Sequence, residues 1–273
     1  MGRGIVEYIT YGGISIINAI PAWLGGTAAI NLLSRVRVTE GTCSVDGFMS
    51  FILNYLRDKW GLDANVCVSV DSSIPESSGL KSNSAVAVGI VHAVMDFLGR
   101  PISPLESARL ASIITKAHGS SITGAFDDAS ASILGGVVFT DNKSMTIIKH
   151  RAVDELRVII TGYKESKRLS RINRLRALSG VYSALFEMAV NGDLWRAATI
   201  NGMLVAEALG YHRALETISN ALRLGALASA VSGNGPSIYA VFKAGEEGPF
   251  VDYVVSSWGY YLTTSLVGPR YSV

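Results

Sequence analysis

The segment from Ser84 to Leu98, Ser-Ala-Val-Ala-Val-Gly-Ile-Val-His-Ala-Val-Met-Asp-Phe-Leu, is apolar almost all round, and Gly99 and Pro101 supply a stop. A helix without a polar face is stable only when buried, so the rest of the chain has to enclose it. Upstream, Asn65 to Val70 place valines at alternate positions, the period of a half-buried strand, and Asp71 and Ser72 break that pattern. A strand, a loop and a buried helix therefore follow one another, and the loop lies where the helix starts.

The other patterns are mixed. Ser103-Pro104-Leu105-Glu106 has the cap, the proline and the acidic third position that open a helix, which should run to about Ala117 before Gly119. Ile133 to Thr140 and Met145 to Lys149 suggest a hairpin around Asp141-Asn142-Lys143, and Leu156 to Thr161 a further strand. Helical patterns cover about Leu175 to Val190 and Leu194 to Leu209, and Leu227 to Val231 with Ile238 to Lys243 form a strand pair across a glycine turn. This order predicts an α+β architecture rather than a doubly wound sheet. The apolar stretch from Gly12 to Leu33 is interrupted by Asn18, Pro21 and two glycine pairs, and is read as buried strand and loop rather than as a membrane span.

Charge excludes some partners. With 24 basic and 22 acidic residues the chain offers no broad electrostatic footprint for nucleic acid or an anionic membrane. Only 17% of residues are charged, below the roughly 25% usual for soluble chains, which implies a large core or a covered apolar surface, and so permits a homodimer. Cys43 and Cys67 cannot make a multi-bridge framework, and His92, His118, His150 and His212 show no ligand spacing with them. Free thiols, a cytoplasmic setting and no structural zinc are the expectation.

The loop Pro75-Glu76-Ser77-Ser78-Gly79-Leu80-Lys81-Ser82-Asn83-Ser84-Ala85 carries the chemistry. Gly79 permits close backbone approach, the helix start aims unpaired N–H groups and its positive dipole end at the loop, and Lys81 adds a full charge. An anion is favoured there, although a serine-rich turn that merely caps a core helix has the same composition. Gly-x-x-x-x-Gly-Lys-Ser/Thr is absent, so an ordinary P-loop is excluded.

The run is similar to the Pro-x-x-x-Gly-Leu-x-Ser-Ser-Ala motif of the GHMP kinases, and lysine after Gly-Leu resembles their archaeal shikimate kinase branch. Two more segments match in order: Thr123-Gly124-Ala125-Phe126-Asp127-Asp128-Ala129-Ser130-Ala131-Ser132 with Gly135-Gly136, and Ser232-Gly233-Asn234-Gly235-Pro236-Ser237. Gly12 to Ile20 also resembles the opening of that branch, so the likeness spans nearly the whole chain.

What the resemblance implies is a two-part GHMP fold, an N-terminal ATP-loop half (1–150) and a C-terminal ferredoxin-like half (151–273), that uses ATP and Mg to phosphorylate the 3-hydroxyl of shikimate. Pro75 to Ala85, with Gly233 and Gly235, would bind ATP. Spacing to Gly135 makes Asp128 the base, whereas the preceding Gly-Ala-Phe would choose Asp127. Lys81 would offset phosphoryl charge or lower the pKa of the base. Ser82 and Ser84 are the metal candidates, with the aspartates able to share, since Asn83 replaces a serine of many relatives and no glutamate stands near Ala117. Asn18, Arg168 and Arg171 are the candidates for holding the acceptor, although the basic stretch from Lys164 to Arg176 also has the pattern of a solvated helix face.

Overall fold

The apolar stretch near the N-terminus folds as the end of β1 (Val6–Ile17), a short connection and the first half of β2 (Leu24–Glu40). This computed structural model describes residues 4–61 and 65–271. The 17-residue strand β2 is the spine of a five-stranded antiparallel sheet. It pairs with β1 along most of its length, with β4 (Val137–Asp141) at its start and with β3 (Val66–Ser72) at its end. An outer strand, β5 (Thr146–Arg151), closes a hairpin with β4.

The all-apolar segment is helix α2 (Ser82–Phe97), and 12 of its 16 residues are buried. It lies on β1 and β2 and is enclosed by α1 (Gly47–Trp60), α3 (Pro104–His118) and α4 (Phe126–Leu134). Each fully buried valine, isoleucine or leucine side chain contributes roughly 1.5–3 kcal/mol, which outweighs the low helix propensity of a valine-rich segment. Helix α3 opens as its sequence predicts: the Ser103 hydroxyl accepts from Glu106 N at 3.2 Å, and Ser103 N–H donates to the Glu106 carboxylate at 2.8 Å.

A second antiparallel sheet holds β6 (Arg157–Thr161), β7 (Ala228–Val231), β8 (Ile238–Phe242) and β9 (Leu262–Ser265), in the spatial order β7-β8-β6-β9. Helices α5 (Ile172–Arg176), α6 (Ser179–Val190), α7 (Leu194–Leu209) and α8 (His212–Arg223) run from β6 to β7, and α9 (Gly248–Trp258) joins β8 to β9. This is the split βαββαβ arrangement of a ferredoxin-like unit. The sheets share a core: Ile14, Ile30 and Phe139 of the first belong to one cluster with Val158, Tyr239 and Val205 of the second half.

Four differences from the sequence reading have physical causes. Ile133 and Leu134 end α4 rather than begin a strand, because the apolar run crosses Gly135, which stops the helix at φ +71. The single helix expected over 175–190 breaks at Ala177 and Leu178 into α5 and α6. Helices α1, α8 and α9 are additional to the sequence expectation, although α1 and α9 end at Gly61 and Gly259 and α8 is strongly amphipathic. Finally, Cys43 and Cys67 form a disulfide, with Cα atoms 5.1 Å apart, instead of two thiols. Pairing of Thr39 with Cys67 brings β3 beside the end of β2, so the chain leaving β2 passes within bridging reach.

The bridge closes a loop with a sequence separation of 24, for which chain entropy predicts about 3.5 kcal/mol of stabilisation. Reduction, or C43S with C67S, should lower the melting temperature by about 5–12 °C in a thermal scan, leaving the secondary structure intact below the transition.

Candidate active site

Helix α2 begins without a side-chain cap. Its first residue follows Lys81, whose backbone is left-handed at φ +73, a conformation that costs a non-glycine residue about 1–2 kcal/mol. The turn leaves the N–H groups of the first helical turn open and swings the lysine side chain beneath them. Lys81 Nζ lies 2.9 Å from Asp128 Oδ1 and donates to Ser15 Oγ at 2.6 Å, with only 6% of the side chain exposed. A buried pair of this kind survives only if its remaining donors and acceptors are served; removing one partner costs roughly 3–5 kcal/mol.

The aspartates sit in the first turn of α4, where the helix dipole favours negative charge. Thr27 Oγ1 is 3.0 Å from Asp127 Oδ2 and 2.7 Å from Asp128 Oδ1, and Asn142 Nδ2 donates to Asp127 Oδ1 at 2.8 Å. One hydroxyl proton cannot serve two carboxylates, so both contacts are good hydrogen bonds only when one carboxyl is protonated. Burial and the neighbouring charge of Asp128 push Asp127 up to about 7, so of the two it is the one raised toward holding a proton, and when protonated it can donate to Thr27. Asp127 is 3% exposed and presses on β2 at Gly25, where a Cβ would lie 2.5 Å from the carboxyl carbon. Asp128 is the open carboxylate.

The glycine-rich turn 232–237 locks onto the first loop. Ser232 Oγ donates to Gly79 O at 2.8 Å, and Ser237 N–H donates to Ser78 O at 3.0 Å. Any side chain on Gly79, at φ +88, would collide with the Ser232 carbonyl. Gly233 N–H in turn donates to Ser15 Oγ at 2.9 Å.

These segments enclose a cavity of about 210 Å³. Ser77, Ser78, Gly79, Lys81, Ser82, Asn83, Ser84, Gly233, Asn18, Asp127 and Asp128 all line it. Other predicted residues do not. Leu80 and Ala85 are core, Gly235 backs onto the Tyr211 ring, and neither Pro75 nor Glu76 reaches the wall. Arg168 and Arg171 face Gly210 instead, because Arg168 Nη1 donates to its carbonyl at 2.6 Å and the Arg171 guanidinium fills the space beside its Cα. Asn18 is at the wall but committed: its Nδ2 donates to Gly233 O and to Asn234 Oδ1, both at 2.9 Å.

Four residues escaped the sequence reading. Ser15 and Thr27 are cross-strand neighbours on β1 and β2, and the only signal for them is a small polar residue inside an apolar run. Asn142 passes for an ordinary turn residue. Lys167 stands in the basic stretch beside the two arginines that were favoured, yet it is the one that lines the cavity.

An uncapped helix start, a buried lysine, an open carboxylate and a glycine-rich turn in one cavity, on this two-sheet frame, define a GHMP-type small-molecule kinase fold and site. Residues 48–136 match the family model described as the GHMP kinases N terminal domain. The structure resembles mevalonate kinase of Methanococcus jannaschii (TM-score 0.75, 14% identity, 97% of this chain and 98% of that one) and homoserine kinase of Cytophaga hutchinsonii (0.72, 17%, 97% and 95%). Among curated sequences it is 38% identical to a shikimate kinase of Methanothrix thermoacetophila, over 91% of this chain and 88% of that protein. It is 32% identical to the shikimate kinase of Pyrococcus furiosus, over 92% and 96%. The chain belongs to the archaeal shikimate kinase family of the GHMP kinases.

The protonated state of Asp127 sets a pH dependence. Its folded pKa lies above the unfolded value, so its contribution to stability is complete below about pH 4 and is lost as pH rises through about 7. Urea unfolding should therefore show stability falling between pH 4 and 7 by up to about 1.4 kcal/mol per unit from this group. D127N, whose amide can donate to Thr27 and accept from Asn142, should flatten that slope. An unchanged slope would show that Asp127 is ionised throughout.

Proposed function

We propose that this chain transfers the γ-phosphoryl group of ATP to the 3-hydroxyl of shikimate, releasing ADP and 3-phosphoshikimate. The observation that carries this reading is the Lys81–Asp128 ion pair, which places a buried charge and an open base directly beside the uncapped start of α2. The relatives named shikimate kinase over nearly the whole chain supply the acceptor.

Each task falls to residues at hand. The nucleotide phosphates lie at the start of α2, where the N–H groups of Ser82 to Ser84 and the helix dipole bind them. The acceptor hydroxyl oxygen attacks the γ-phosphorus as the bond to the β,γ-bridging oxygen breaks, and Asp128 takes the hydroxyl proton. Lys81 offsets charge on the transferring group and, through its ion pair, holds the Asp128 carboxylate in place. Asp127, neutral and held by Asn142, fixes Thr27 so that its hydroxyl proton points at Asp128.

The donor set also fits Mg. Ser82 and Ser84 are nearly buried with cavity-lining atoms, and neither hydroxyl has a side-chain hydrogen bond among the described residues. Among those residues no cluster of three His, Cys, Asp or Glu side chains is placed to hold a metal. Mg bound through one or two protein oxygens and the phosphates needs no such cluster. The ion would neutralise phosphate charge, with Ser82 and Ser84 as its protein ligands. Among the described residues no helix is long and apolar enough to cross a membrane.

ADP release measured with shikimate, mevalonate and homoserine at matched concentrations tests the reading; turnover with shikimate well above the other two is expected. ADP at background with shikimate would sink it. In the same assay D128N should lose about 10²–10⁴-fold in kcat while still binding ATP, and D127N should keep most of its turnover. The opposite ranking would transfer the base to Asp127.

A further inference from the structure

The cavity holds two lysines but only one is answered. Lys81 is paired with Asp128, whereas Lys167 has no carboxylate within ion-pair distance among the described residues. Lys167 lines the cavity while remaining exposed to solvent on its other side; its pKa is lowered by desolvation, then by repulsion from Lys81, with Asp128 opposing the shift. A cation held where a second cation already repels it is poised for an anion that the protein itself does not provide.

Its orientation is set by its neighbour. Arg168 N–H donates to Tyr211 Oη at 2.9 Å, its guanidinium donates to Gly210 O, and it lies 5.4 Å from the Tyr211 ring centre. Tyr211 Oη donates to Asn234 O at 3.0 Å, which ties this segment to the glycine-rich turn. Arg168 is thus anchored at the end of α7, and the residue before it, Lys167, lines the cavity. Lys164 is engaged elsewhere, 4.7 Å from the Tyr260 ring centre.

We propose that Lys167 is a specificity-determining residue, whose ammonium binds the carboxylate of the acceptor while Asp128 addresses its hydroxyl. This rests on the shikimate reading above. A carboxylate is favoured over the nucleotide phosphates because the start of α2 and Lys81 already serve those, whereas Lys167 comes from the segment that Arg168 ties, through Tyr211, to the glycine-rich turn. Arg168 and Arg171 then act as anchors that aim the lysine.

The test is ADP release by wild type, K167M and K167R at varied shikimate and varied ATP, repeated with the uncharged methyl ester of shikimate. K167M should raise KM for shikimate by about 10–100-fold, the size of a lost charge-assisted hydrogen bond, with kcat and KM for ATP changed by less than about threefold. Wild type should prefer the acid to the ester, K167M should lose that preference, and K167R should recover part of it. Comparing the acid-to-ester ratio between enzymes cancels the bulk of the added methyl group. An unchanged acid preference in K167M, or a loss confined to kcat or to KM for ATP, would overturn the clamp while leaving shikimate phosphorylation intact. No turnover of shikimate by wild type would instead remove the underlying reading and the clamp with it.

Discussion

Two loops from different sheets cross at Gly79 and Ser232, backbone against backbone, and the site exists because they do. The crossing leaves no room for a side chain at Gly79 and is tied by the Ser232 and Ser237 hydrogen bonds on either side. Ser15 extends the junction, receiving Gly233 N–H and Lys81 Nζ on one hydroxyl oxygen while its N–H donates to Ser232 Oγ at 3.2 Å. The wall of the cavity around the start of α2 thus comes from the first half, the wall around Gly233 from the second, and the two sheets share one core.

That junction lets the protein hold charge where water is scarce. Lys81 is desolvated and strained, and neither condition would persist without the groups around it: Asp128 and Ser15 on the ammonium, and α2 carrying the backbone turn. Asp127 eases the remaining problem, two adjacent carboxyls in one helix turn, because its raised pKa lets it take up a proton near neutral pH. Its burial against Gly25 and the neighbouring charge of Asp128 raise its pKa, and the bond from Asn142 opposes that shift while holding the carboxyl in place.

The architecture was legible where local patterns were strong. The alternating valines, the all-apolar helix and the Ser103 capping box form as written, because burial and capping act over a few residues. The break at Ala177 and the end of α4 at Leu134 depend on what packs across them, which no short window contains. In the cavity, the loop around Gly79 and Lys81 and the two aspartates stand out in the sequence because their residue types are unusual for a core. Ser15, Thr27 and Asn142 were not, since a serine, a threonine and a turn asparagine acquire meaning only from a partner 15 or more positions away. The basic stretch shows the limit most plainly: charge density pointed to Arg168 and Arg171, whereas the accident of which residue is anchored gives the cavity Lys167.

Ser15 and Thr27 face each other across β1 and β2, one touching the lysine and the other the aspartates. Sliding β1 past β2 by a single residue would turn every side chain of the displaced strand to its opposite face, so the two hydroxyls would no longer share one. The bulges that interrupt the pairing near Tyr11 and Ser15 therefore act as an alignment pin for the chemistry, and a chain that condensed in the shifted alignment would be compact, sheet-rich and inert.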